Sequence, residues 1–175
     1  GGNECDLDFS ASATASVGTA TWTQQSGPGV ASFAPNIYDP NPVISVSAYG
    51  SYVLRWTEDN VGCTDFDEIT VNYFEQPVAD PGAQDTACGT LSFVLQAVPT
   101  AGTGTWVQQS GPGLSFFVPS TNNPNATATV TVVGAYVFRW TEVNGPCSDF
   151  GDVQIDFFNL PAVSFGGLVG PYCIS

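Results

Sequence analysis

The sequence predicts an all-β protein built as antiparallel β-sandwiches in tandem, and three observations predict it. A long block of residues recurs at a fixed offset. Alternating apolar residues and β-branched or aromatic runs take the place of any helical period. Clusters of Gly and Pro punctuate those runs, where they supply turn geometry that a central ladder cannot accept.

The recurrence is the firmest of the three. Trp22 matches Trp106, and 106 − 22 = 84. Gln24-Gln25-Ser26-Gly27-Pro28-Gly29 matches Gln108-Gln109-Ser110-Gly111-Pro112-Gly113 at the same offset. So do Arg55-Trp56-Thr57-Glu58 with Arg139-Trp140-Thr141-Glu142, Cys63 with Cys147, and Asp65-Phe66 with Asp149-Phe150. Cys5 and Cys88 are one residue short of that offset, a single-residue indel. The expected organisation is one module over residues 1–76 with a truncated lead-in and a second over 77–160. Residues 161–175 then open a third module or act as a donor-type terminal strand. The Gly-Gly start without Met suggests a slice of a longer product.

Within each module the strands follow from local pattern. Residues 19–25, 43–48, 51–58 and 67–74 read as strands, with copies at 103–109, 128–133, 135–142 and 152–158. Alternation puts Tyr52, Leu54 and Trp56 on one face, which is expected to point inward. Trp22 is expected to cover a disulfide from the opposite sheet. Trp106, Tyr136 and Trp140 repeat the arrangement.

The cysteines sort by module. Cys5 and Cys63 fall in the first, Cys88 and Cys147 in the second, with separations of 58 and 59. The expectation is two bridges, Cys5–Cys63 and Cys88–Cys147, with Cys173 unpaired in this chain. Buried free thiols in a cytosolic protein are the alternative. Paired cysteines imply an oxidising compartment, cell-surface or secreted.

Charge and composition exclude most functions. The chain of 175 residues has 16 acidic residues against 2 basic ones, Arg55 and Arg139, and a net charge of −14. Nothing neutralises a run of phosphates or an anionic membrane. Without His or Lys there is no Ser-His-Asp site, imidazole metal ligand, Schiff base or P-loop. At 43% apolar and 13% aromatic the chain still folds around a core. The expectation is a protein that is not an enzyme.

Carboxylates remain as the reactive class. Those recurring in both modules are Glu58/Glu142, Asp65/Asp149 and Glu68/Asp152. The plain reading pairs Arg55 and Arg139 with members of the sets Asp65, Glu68 and Asp149, Asp152. The sharper reading is calcium, the one cofactor considered, on Glu58, Asp59, Asn60, Asp65 and Asp67, with Asp80 and Asp85 at an intermodule site. Val143 and Gly151 replace Asp59 and Asp67 in the second module, which argues against an obligatory metal. A glycosidase pair lacks an evident cleft.

Pro77-Val78-Ala79-Asp80-Pro81-Gly82-Ala83-Gln84-Asp85, then Trp106-Val107-Gln108-Gln109-Ser110-Gly111-Pro112, then Gly134-Ala135-Tyr136-Val137-Phe138-Arg139-Trp140-Thr141-Glu142 resembles the polycystic-kidney-disease (PKD) type of immunoglobulin-like domain. It is similar to the cysteine-containing variants in giant surface proteins of Bacteroidota. The resemblance implies a seven-stranded sandwich, type 9 secretion and a spacer or adhesive role on the cell surface. Trp56 and Trp140 depart from it, since many such domains carry a smaller residue there. Asp85-Thr86-Ala87 is similar to the O-glycosylation signal of the same bacteria, with Thr86 the acceptor.

The implied partners are neighbouring copies of the module, with surface glycans or proteins second. A binding module would act through loops at the sandwich ends, where Tyr38, Tyr49 and Phe117 are the aromatics to inspect.

Overall fold

The computed structural model describes residues 1–164, so Cys173 lies outside the described residues. The first half holds β1 (Gly2–Glu4), β2 (Asp8–Ser10), β3 (Thr19–Ser26), β4 (Ala31–Ala34), β5 (Val43–Val46), β6 (Gly50–Asn60) and β7 (Cys63–Tyr73). The second holds β8 (Asp85–Cys88), β9 (Ser92–Val94), β10 (Thr103–Ser110), β11 (Ser115–Val118), β12 (Thr127–Val130), β13 (Gly134–Asn144) and β14 (Cys147–Phe158). The described residues contain no helix.

Each half is a two-sheet sandwich. In the first, a sheet ordered β1-β7-β6-β3 faces one ordered β2-β5-β4. In the second, β8-β14-β13-β10 faces β9-β12-β11. The pairings are antiparallel except that β1 lies parallel to β7 and β8 parallel to β14. Seven strands split four and three is the immunoglobulin-like arrangement.

The alternation read from the sequence explains the cores. Tyr52, Leu54 and Trp56 point inward from β6, and Val71 and Tyr73 join them from β7. Ile44 and Val46 meet them from the other sheet. Tyr136, Phe138, Trp140, Val153, Ile155 and Phe157 do the same in the second half. Each such side chain contributes about 1.5–3 kcal/mol on leaving water. Tyr52 donates its hydroxyl to the Ala48 carbonyl at 2.9 Å, and Tyr136 to Val132 at 2.9 Å. These are tyrosine corners, which pin the crossing from one sheet to the other.

The repeated Gln-x-Ser-Gly-Pro-Gly motif closes the turn after β3 and β10. The Gln24 side chain donates to the Gly29 carbonyl and accepts from the Ala31 N–H, both at 2.7 Å. Gln108 donates to Gly113 at 2.7 Å. Gly27 and Gly111 lie on the Tyr52 and Tyr136 rings with φ of 152°, and a Cβ there would sit 2.2 Å from a ring carbon. Only glycine fits.

Two expectations need correction. Trp22 does not cover a disulfide from the opposite sheet. It lies directly opposite Trp56 in the β3–β6 ladder, with ring centroids 5.2 Å apart. Trp106 and Trp140 repeat this at 5.1 Å.

The cysteine pairing is the second. Neither Cys5–Cys63 nor Cys88–Cys147 forms; the bridge is Cys5–Cys147. The parallel register decides this. Glu4 stands opposite Tyr73, which places Cys5 at the far end of β7 from Cys63. Ten residues of extended strand span about 33 Å, against the 7 Å limit on Cα separation for a disulfide. Cys88 stands opposite Phe158 at the end of β14, with Cys147 at its start, about 36 Å away by the same rise.

Candidate functional site at the junction of the two sandwiches

Hairpin β13–β14 carries its tip to the end of the first sandwich. Cys147, 1% exposed, bonds Cys5 with a Cα separation of 5.6 Å. Beside the bridge the Asn144 amide donates to the Glu75 carbonyl at 2.8 Å. Gln76 donates to the Ser148 carbonyl at 3.0 Å. Gly145, at φ 62°, lies against the Phe74 ring so closely that a Cβ would come within 2.5 Å of it.

The connecting segment is pinned to the second sandwich. The Ala79 N–H donates to an Asp149 carboxylate oxygen and the Val78 N–H to the Thr100 hydroxyl, each at 2.9 Å. The Val98 N–H donates to the Asp80 carbonyl at 2.9 Å, and Ala79 joins the apolar cluster of that half. A segment held at successive residues does not swing like a free tether. One covalent bond, two polar contacts and one ring contact thus join the two bodies, and three further hydrogen bonds pin the connecting segment to the second.

The recurring carboxylates do different work from one another. Arg55 bonds Glu68 and Arg139 bonds Asp152, directly opposite each other in their ladders, at 2.6 and 2.7 Å. Each guanidinium also lies over an aromatic ring, Phe66 at 3.9 Å and Phe150 at 3.7 Å. The Arg139 hydrogen bonds hold Asp152 below the usual carboxylate range. Asp65 and Asp149 take no part in these pairs. Asp149 holds the connecting segment, and Asp65 accepts from the Phe66 N–H at 2.9 Å.

Glu142 is buried, 1% exposed, and its role was not visible in the sequence. It accepts from the Thr100 N–H and hydroxyl, the Ala101 N–H and the Trp140 indole, at 2.8–3.2 Å. Burial pushes its carboxyl up, but these donors outweigh that and hold it below the ordinary value. Glu58 repeats the role with Ser16, Val17 and Trp56. The Ser16 hydroxyl and N–H lower its carboxyl most. Both glutamates tie a loop from 42 positions upstream to the central strand. Only their recurrence signalled a role.

Of the residues considered for calcium, Glu58, Asn60, Asp65 and Asp67 line one pocket, whereas Asp85 lines another. Glu58 is committed as described, Asp59 accepts from the Gly62 N–H, Asp67 from Glu68, Asp80 from Gly82 and Asp85 from Thr86. Among the described residues no group of three or more such side chains is placed to hold a metal ion. Thr86 is exposed on edge strand β8 rather than in a loose linker. Tyr38 is 65% and Tyr49 41% exposed. Phe117 is half-buried against Phe138, so the three do not form an exposed cluster.

No family model and no curated protein sequence matches the chain. Solved structures do. Extracellular domains 3–5 of Drosophila OTK align at a TM-score of 0.56 and 12% identity, over 90% of this chain and 58% of that one. The insect immune protein hemolin aligns at 0.50 and 9%, over 89% of this chain and 44% of that one. The chain therefore spans about half the length of these structures. Likeness at this identity establishes the fold: a tandem immunoglobulin-like β-sandwich protein, its two units joined by a disulfide.

Proposed function

We propose that the chain is a non-enzymatic extracellular structural repeat, a disulfide-stiffened spacer within a long bacterial surface adhesin or filament. The modules proposed are residues 1–76 and 77–160; the third module or donor-type terminal strand expected at 161–175 lies, beyond residue 164, outside the described residues. The observation that carries this reading is the Cys5–Cys147 bridge between sandwiches, where a bridge within one sandwich would stabilise it without fixing its neighbour. A pinned connecting segment and the contact of Gly145 with Phe74 support the same role. The bridge favours an oxidising, extracellular setting. A net charge of −14 keeps such a fibre soluble and discourages lateral clumping. The PKD-like motif in a Bacteroidota surface protein exported by type 9 secretion is the finer form of the proposal.

Small-angle scattering of the oxidised chain, of the reduced chain and of Cys5→Ser tests it. The oxidised chain should give one extended, narrow shape, and the two disconnected forms a broader spread of inter-sandwich distances. Identical broad distributions in all three would overturn the spacer reading.

A further inference from the structure

Among the described residues Cys63 and Cys88 are unpaired and exposed. They are the repeat counterparts of the two bonded cysteines. Cys63 corresponds to Cys147 at the hairpin tip, and Cys88 to Cys5 at the end of the first parallel strand. The bridge at the internal junction therefore joins one cysteine of each kind, and the chain presents the other of each kind at its opposite ends.

The surroundings of the two thiols are duplicated in part: Phe158 and Asn60 keep the roles of Phe74 and Asn144, while Val61 and Leu160 stand for Gly145 and Gln76. The Phe74 ring, seat of Gly145, has its counterpart in Phe158, 52% exposed. Phe158 lines an open groove with Leu91, Val132 and Leu160, all exposed apolar residues. Gly145 has its counterpart in Val61, 99% exposed at the tip of hairpin β6–β7. Val61 holds φ at 54°, a left-handed conformation that a β-branched residue rarely adopts. The two-residue turn Val61-Gly62 demands that positive φ, and because a Cβ in the position of Gly145 would come within 2.5 Å of the ring, a docked Val61 has to seat displaced along the groove toward its other apolar residues. Asn60 stands where Asn144 donates to the backbone of the first sandwich.

From this we infer that the two ends of the chain are complementary: the hairpin tip of one copy seats on the Phe158 groove of a second copy, and Cys63 bonds Cys88 across the contact. The contact is heterologous and does not close, so it generates an open linear polymer. The inference rests on the spacer reading and supplies its partner, a second copy of this chain. Asp67 stands where Gly151 lets the connecting segment lie close, so the inference is confined to the hairpin tip and its seat.

Chemically, two thiols lose two protons and two electrons. A small-molecule disulfide takes the electrons: one protein thiolate attacks oxidised glutathione and releases one glutathione thiolate. The second protein thiolate then attacks the protein-side sulfur of the mixed disulfide and releases the other.

The test uses the 175-residue chain carrying Cys173→Ser, so that Cys63 and Cys88 are the remaining thiols. It is incubated folded in a glutathione redox buffer and digested without reduction, and the linked peptides are counted by mass spectrometry. Random collision gives Cys63–Cys63, Cys63–Cys88 and Cys88–Cys88 links in a ratio of about 1:2:1, whereas docking raises the mixed link at least about tenfold over either symmetric one. A non-reducing gel should show a ladder in steps of 18.3 kDa. Val61→Asp and Phe158→Asp, both at exposed positions, should each return the links to the random ratio with the internal Cys5–Cys147 peptide intact. A random ratio in the parent chain, or a ratio untouched by both variants, overturns the inference. Scattering from the monomer fraction separates the two failures. A rigid, extended monomer that does not link head to tail leaves the spacer reading standing, and a monomer with independent halves removes it.

Discussion

Replacing Cys5 by Ser should destabilise both sandwiches, although the bridge lies in neither core. With the first sandwich folded, Cys5 sits beside Tyr73 through the parallel β1–β7 register. The bond to Cys147 then makes the whole second sandwich a closed loop running from Tyr73 to Cys147, and unfolding it leaves that loop closed. With the second sandwich folded, Gln76 is tied to Ser148 beside the bridge, and the first sandwich is a closed loop in turn. Each loop has about 70 residues, for which chain entropy gives about 4.4 kcal/mol. At about 4–8 °C per kcal/mol for units of this size, the loss in Tm is on the order of 15–35 °C. Thermal and urea unfolding of the wild type, Cys5→Ser, the Cys5→Ser/Cys147→Ser pair and Cys63→Ser measures it. The first two variants should fall together, reductant should bring the wild type down to them, and Cys63→Ser should stay within about 0.5 kcal/mol of the wild type. Should Cys63→Ser fall as far as Cys5→Ser, the bridge lies within one sandwich and the reasoning fails.

Glu142→Gln turns an amide N–H₂ toward N–H donors and should cost about 1.5–3 kcal/mol in urea unfolding at neutral pH. The native carboxyl titrates below its ordinary value of 4.5, so its stabilisation is complete above about pH 5 and is lost as pH falls through the lowered native value. Glu142→Gln should therefore flatten the acid limb of the stability–pH curve. Burial, and then the charge of Glu4, push the Tyr73 phenol up to about 12 from 10.0. Stability should hold below pH 10 and decline as pH rises from there through 12, and Tyr73→Phe should remove that part of the decline, followed by circular dichroism. Tyr136→Phe deletes the bond to Val132 and should cost about 1 kcal/mol with an unchanged urea slope.

The long strands were legible because each carries an apolar stripe into a core. Tyr52, Leu54 and Trp56 alternate over a run too regular for anything but a half-buried strand. The short edges were not legible. Strands β1, β2 and β9 have three residues each, and β4, β8 and β11 have four. In β8 only Ala87 is buried, so nothing local distinguishes it from a linker. Its pairing is imposed by the edge of β14. The ion pairs were half legible. The sequence offered several carboxylates to each arginine, and the choice depends on where the hairpin turns. A two-residue turn at Val61-Gly62 sets Arg55 opposite Glu68. Glu58 and Glu142 escaped because half of their donors are backbone N–H groups, which carry no signature in sequence, and the hydroxyl donors lie 42 positions away.

The cysteines failed for a reason tied to the repeat itself. In a periodic chain, a bond from the first cysteine of one unit to the second cysteine of that unit, and a bond to the second cysteine of the next, leave the same spacing pattern. Spacing alone cannot separate them, because shifting one partner by a full period changes nothing in the sequence register. What separates them is strand direction. An antiparallel first strand would have placed Cys5 near Cys63, at the start of β7. The parallel register places it at the other end, where the next hairpin arrives. A three-residue strand, Gly2–Glu4, thus decides whether the disulfide closes one sandwich or joins two. By joining them, the same cysteine content that would have stabilised isolated units ties each sandwich covalently to its neighbour.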